Sequence, residues 1–107
     1  MSEHSGDTCL VRINGDSMWP TFRDGDEVEC DLRAYEKAPP KVGEVVLSIH
    51  PLKSSVRVVK RVTRMNEKGQ AILEGDNPDP LATTDSHAFG PVSIHLILGR
   101  IVTLDEE

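Results

Sequence analysis

Hydrophobic and polar residues alternate with a period of two along much of the chain, as in strands that bury one face. Cys9-Leu-Val-Arg-Ile-Asn14 alternates, and Asp26 to Leu32 puts Val28, Cys30 and Leu32 on one side. Glu44 to Ile49 and Val56 to Thr63 are rich in β-branched residues, Ala71 to Glu74 is a short apolar run, and Ile97 to Leu104 closes the chain. Turn signals separate these segments: Asp24-Gly25, Ala38-Pro39-Pro40-Lys41, Lys68-Gly69 and the long stretch from Gly75 to Pro91. Short strands at this spacing predict a mainly β fold, a small antiparallel sheet or partial barrel. Helix is confined to one turn after Ser17 and another near Ser93. No repeat, linker or low-complexity tract breaks the pattern, so residues 1–107 read as one domain, with 1–8 a flexible arm. The Gly75–Pro91 segment is longer than an ordinary connection, and such loops are often functional.

Composition narrows the functional classes. With 28% charged and 37% hydrophobic residues the chain is expected to fold around a modest core. The net charge of −6, without a lysine- or arginine-rich block, speaks against a nucleic-acid partner. Runs such as Val45-Val46-Leu47 and Leu96-Ile97-Leu98 are far too short to cross a bilayer, and Met1 to Thr8 lacks the basic start and apolar centre of a signal peptide. A cytoplasmic location without membrane insertion is the resulting expectation. Cys9 and Cys30 fit reduced thiols in that setting, and their spacing leaves open whether they pair. The four histidines show no metal-ligand spacing, and no metal or other cofactor is expected. Asp24-Gly25-Asp26-Glu27 lacks the ligand spacing of a calcium loop and reads as a solvated turn.

One charged residue falls on an apolar face. In the strand Val56 to Thr63, alternation places Val56, Val58, Lys60 and Val62 together and Arg57, Val59, Arg61 and Thr63 opposite. The second face reads as solvated, so Lys60 is expected to point inward among valines, where lysines seldom sit unless paired or used. A free lysine has a pKa near ~10.4, and burial disfavours its charged form by up to ~3–5 units. A lysine held neutral this way can take a proton from a serine hydroxyl. The alternative is a stem that covers apolar surface while its amine reaches water. Both readings stand on the strand pattern alone.

A serine with matching potential follows the first strand. Val11-Arg-Ile-Asn-Gly-Asp-Ser-Met-Trp-Pro-Thr-Phe22 runs from a strand into Gly15, then Ser17, then Pro20. Glycine permits a sharp backbone turn and proline stops the strand from continuing. Ser17 would then present its hydroxyl and N–H at a turn where an oxyanion could be met. The motif is not the Gly-x-Ser-x-Gly elbow, because Trp19 occupies the last position. A serine after Gly-Asp is also an ordinary turn residue.

Ser17-Met18 with Pro20-Thr21 and Asp24-Gly25-Asp26 resembles the nucleophile box of signal peptidase I and the LexA-type self-cleaving proteases. Lys60-Arg61-Val62 is similar to their lysine box. Gly75-Asp76-Asn77, then Thr83 and Asp85-Ser86, resembles the third box of signal peptidases. The boxes occur in the family's order and span most of the chain, and Phe89-Gly90-Pro91-Val92 and Gly99-Arg100-Ile101-Val102 extend the match. Within the superfamily the chain most resembles the short maturation proteases of nickel superoxide dismutase, through His50-Pro51, Val59 to Val62 and Gly75 to Pro78. The resemblance implies an SH3-like coiled β architecture and a serine endopeptidase with a serine–lysine dyad. It also implies a partner: a precursor protein, the dismutase precursor, from which an N-terminal extension is removed.

Carried across residue by residue, the resemblance makes Ser17 the nucleophile and Lys60 the general base. Thr83 stands where signal peptidases keep a serine that holds the lysine amine. Gly15, Asp16 and Met18 fall in the oxyanion and substrate-pocket region. Gly15 brings no hydroxyl, so backbone N–H groups, including that of Ser17, are expected to meet the oxyanion. Asp76 and Asp85 are expected to hold loops. His87 replaces the family's arginine and opens a competing triad of Ser17, His87 and Asp85, ranked below the dyad. Trp19 and Phe22 are expected in the core.

Other readings remain beside the leading one. In a self-cleaving regulator the segment before Ser17 would fold back into the cleft, and it is expected to be too short for that. In a non-catalytic β-barrel module Ser17 would be a turn residue and Lys60 a surface lysine. An anchorless signal peptidase-like protease with another substrate is a further alternative.

Overall fold

The structure, a computed structural model of the chain, describes residues 7–79 and 90–102. Among the described residues, six strands form one antiparallel sheet: β1 (Thr8–Arg12), β2 (Glu27–Asp31), β3 (Val45–His50), β4 (Lys53–Met65), β5 (Ala71–Glu74) and β6 (Ile97–Val102). Their order across the sheet is β1-β2-β6-β3-β4-β5. Helix among the described residues amounts to little more than a 3-10 turn over Ile94–Leu96, where Ser93 caps by accepting from the His95 N–H. The mainly β, antiparallel architecture expected from the alternation is therefore present, and each expected strand has its counterpart.

The middle strand explains how one sheet supports two cores. In β3, Val45 and Leu47 point to one face and Val46 to the other, and all three are buried. The first pair joins Ile13, Met18, Phe22, Cys30 and Ile101. Val46 joins Val62, Ala71, Leu73, Val92 and Ile97 on the opposite side. A strand covered on both faces reads as a continuous apolar run, which is the composition of Val45-Val46-Leu47.

β4 begins three residues before the expected Val56. His50 Nδ1 accepts from the Leu52 N–H at 3.0 Å in the tight turn; Lys53 pairs with His50, the register then shifts, and regular pairing with β3 resumes at Arg57 opposite Ile49. Lys53, Ser54 and Ser55 are polar and exposed, so no apolar alternation announces them. Beyond Val62 the register with β5 shifts, with Arg64 rather than Thr63 facing Ile72.

Candidate active site

The turn that carries Ser17 is fixed from several directions. Ile13 ends β1's direction by donating to the Asp26 carbonyl at 2.8 Å, while its own carbonyl accepts from Gly25 at 2.7 Å. Gly15 then adopts φ +85°, a left-handed conformation that glycine reaches without a Cβ penalty. Its N–H donates to the Asp24 carboxylate at 2.7 Å. Asp24 and Asp26 thus serve the backbone, Asp26 accepting from the Arg23 N–H at 2.8 Å. After Ser17 the expected turn of helix does not form: the chain makes a turn through a cis Trp19–Pro20 bond, with Phe22 donating to the Met18 carbonyl at 2.9 Å. That turn drives Met18 and Phe22 into the core at 1% and 8% exposure. Trp19 does not follow them: one position along the turn from Met18, it points outward and is 45% exposed, against the expectation that both aromatics fill the core.

Lys60 sits where the apolar face predicted. It lies opposite Val46 in β3 and is 3% exposed, two residues from fully buried Val62. The same face loses its burial toward the start of the strand, where Val56 is 39% exposed instead of inward-facing. There β4 pairs with β3 alone among the described residues, because the β5 ladder starts at Arg61.

The structure brings Ser17 and Lys60 to one cleft of about 630 Å³. Its walls are β1 with the residues that follow it and the Ser55–Lys60 half of β4, and Met18 and Leu47 contribute apolar surface. β1 and β4 stand first and fifth in the sheet order, so the sheet must curl to make them opposite walls. β1 pairs with β2 only, and this half of β4 with β3 only, among the described residues. Among the described residues, both walls therefore leave one edge of backbone donors and acceptors outside the ladder.

The third sequence box is tied to the other two by hydrogen bonds that no local pattern announces. Asn77 donates its N–H to the Ser17 carbonyl at 2.9 Å and its Nδ2 to the Asp16 carbonyl at 2.8 Å. Asp76 receives two bonds from Arg61, Nε to Oδ1 and Nη2 to Oδ2, each 2.8 Å, and one from Thr21 Oγ1 at 2.5 Å. Arg61 also donates to the Gly43 carbonyl at 2.7 Å. Burial alone would push the Asp76 carboxyl up; the bonds from Arg61 and Thr21 and the guanidinium charge outweigh it and hold the group below the usual carboxylate value. Arg61, placed by alternation on a solvated face, is instead the link between the lysine strand and the serine turn. Asp76 holds loops, as expected.

Among the remaining site residues, Gly15 and Asp16 are exposed beside the turn, and the Gly15 N–H is taken by Asp24. Thr83, Asp85, Ser86 and His87 lie outside the described residues, and with them the lysine-positioning role and the competing triad.

A family model described as Peptidase S24-like matches residues 1–102. The chain belongs to the Peptidase S24-like family. This places it in the LexA and signal peptidase I superfamily that the ordered boxes resemble, and supports a peptidase of the serine class. The S24-like chain is also similar to mitochondrial inner membrane protease subunit 1 of Xenopus tropicalis, 33% identical over 111 residues, covering 86% of this chain and 65% of that protein. It thus spans under two thirds of that relative's length. Neither name mentions a dismutase. The relative's name places that protein at a mitochondrial inner membrane, which lends no support to a cytoplasmic site for this one. Among the described residues no helix is long and apolar enough to cross a membrane.

Proposed function

We propose that this S24-like chain is an endopeptidase in which Ser17 is the nucleophile and Lys60 the general base, and that it trims an N-terminal extension from a precursor protein. The observation that supports the reading is that Ser17 and a lysine only 3% exposed, from separate parts of the chain, both line one cleft. Burial disfavours an ammonium ion. A neutral Lys60 amine would take the Ser17 Oγ proton as the oxygen attacks the scissile carbonyl carbon. The N–H of Ser17 itself is the donor this turn offers to the resulting oxyanion. The Lys60 ammonium then returns its proton to the leaving amine as the C–N bond breaks; water attacks the acyl carbon while giving a proton to the Lys60 amine, and that proton passes to Ser17 Oγ as the ester bond breaks and the acid leaves. The two strand edges left over on β1 and β4 suit an extended peptide, which would bond to backbone on one or both sides. For the substrate, the resemblance carried by His50-Pro51, Val59 to Val62 and Gly75 to Pro78 favours the precursor of nickel superoxide dismutase.

The test is cleavage of that precursor by Ser17→Ala, Lys60→Met and the double variant, each checked for native fold by circular dichroism. Each single change should abolish cleavage, and the double should be no worse than either, because the two groups act as a unit. In the wild type the rate should climb with pH as the amine loses its proton. Full activity in Lys60→Met would overturn the dyad. An active enzyme that ignores the dismutase precursor would overturn the substrate assignment alone.

A further inference from the structure

The β1–β2 hairpin contains a pair of thiols that the proposed chemistry does not use. Cys9 and Cys30 lie directly opposite each other in the antiparallel register. Side chains of such a pair project to the same face, with Cα atoms ~4.5–5.5 Å apart. That separation lies inside the ~4.4–6.8 Å range of disulfides. Both cysteines are free thiols. Their surroundings differ. Cys30 is fully buried, and a Cβ built on Gly99 of β6 would lie 2.7 Å from its Sγ, so the sulfur occupies the hollow that this glycine leaves. Cys9 is half-buried and lines the cleft. One thiol is thus reachable from the cleft and the other is closed to solvent.

We propose that Cys9 and Cys30 are a reversible oxidation site that closes to a disulfide across β1 and β2 on exposure to a hydroperoxide. The Cys9 thiolate attacks the peroxide's terminal oxygen, the O–O bond breaks, and Cys9 becomes a sulfenic acid with loss of water or alcohol. Cys30 sulfur then attacks the Cys9 sulfur, the S–O bond breaks, and a second water leaves. Two thiols are oxidised by two electrons and one peroxide is reduced. Burial first, and then the neighbouring Cys9 and Asp31, push the Cys30 thiol up to about 12, so Cys30 resolves the sulfenic acid rather than meeting the oxidant. The bridge would tie the base of the hairpin whose connection carries Ser17. Closing that loop restricts the unfolded chain and raises stability.

The experiment needs no assay of proteolysis, so it stands or falls apart from the proposed activity. The full chain is treated with a small excess of hydrogen peroxide under native conditions and followed by intact mass, by non-reducing peptide mapping and by thermal melting. The expected product is a monomer lighter by two hydrogen atoms, with one cross-linked peptide joining Cys9 to Cys30, a melting temperature higher by about 5 °C or more, and full reversal by a dithiol reductant. Cys9→Ser should leave Cys30 unmodified under the same treatment, and Cys30→Ala should leave a sulfenic acid on Cys9 that a dione probe captures. Oxygen adducts on wild-type Cys9 without a bridge, a covalent dimer, or a bridge that forms only after denaturation would overturn the proposal.

Discussion

Asp76 works on the site through other residues. It holds Arg61 and Thr21, while Asn77, its neighbour, holds the carbonyls of Asp16 and Ser17. Its folded pKa is lowered, so its contribution to stability is full above the unfolded value near ~3.9 and is lost as pH falls through the lower folded value. Asp76→Asn should cost about 1–3 kcal/mol at neutral pH, since Arg61 keeps a partly buried guanidinium with a weaker partner. Urea melts between neutral and acid pH check this: the wild type should lose its advantage over Asp76→Asn on the acid side. A gap unchanged across that window would show that the carboxylate charge is not what stabilises. A loosened Ser17 turn should lower kcat more than it raises KM. The chemistry at this scale was legible in part. Ser17 and Lys60 stood out by turn signals and by an apolar face, but Arg61 did not. Its partner is a carboxylate in a separate box, and a strand read alone cannot show that a loop returns to cover its outer face. Trp19 likewise has the composition of a core residue, and only the turn that seats Met18 and Phe22 leaves it facing solvent.

Period-two patterning works best for strands whose two faces differ or are both apolar, and β1, β2, β3, β5 and β6 all satisfy this. β4 extends beyond its apolar alternation because its first residues carry exposed side chains and sit at a register shift against β3. Alternation puts Val56 on the buried face without saying how far along the strand that face stays covered. Pairing order is a long-range property: β6, last in sequence, inserts between β2 and β3, and no local signal states this. One residue records it after the fact. Gly99 faces Leu47 of β3, and a Cβ there would collide with the Asp31 carbonyl oxygen and the Cys30 sulfur. Gly99→Ala should therefore destabilise by about 1–3 kcal/mol through overpacking of a site bounded partly by backbone. Denaturant melts measure this directly. A neutral Gly99→Ala would mean that β2 and β6 can separate at little cost, and that the close approach is not required for the sheet.

At the scale of the whole molecule the question is whether the cleft serves another chain or its own. β1 forms one wall of the cleft and runs directly into the Ser17 turn, so its residues are committed to the sheet and cannot also lie across the nucleophile as substrate. The half of β4 opposite is likewise held by β3. An extended peptide entering between these walls is most simply a segment of a second protein, and the backbone edges left on both sides need no lipid to present it. Purified protein should therefore stay full length during long incubation, yet shorten an added precursor near its N-terminus in detergent-free buffer. The initial rate should scale linearly with enzyme concentration at fixed precursor. Mass spectrometry of the protein incubated alone, beside Ser17→Ala under the same conditions, decides the matter. Accumulation of an internally cleaved form in the wild type but not in Ser17→Ala, at a rate independent of protein concentration, would show that the chain cuts itself, and that a segment of its own reaches the cleft between β1 and β4.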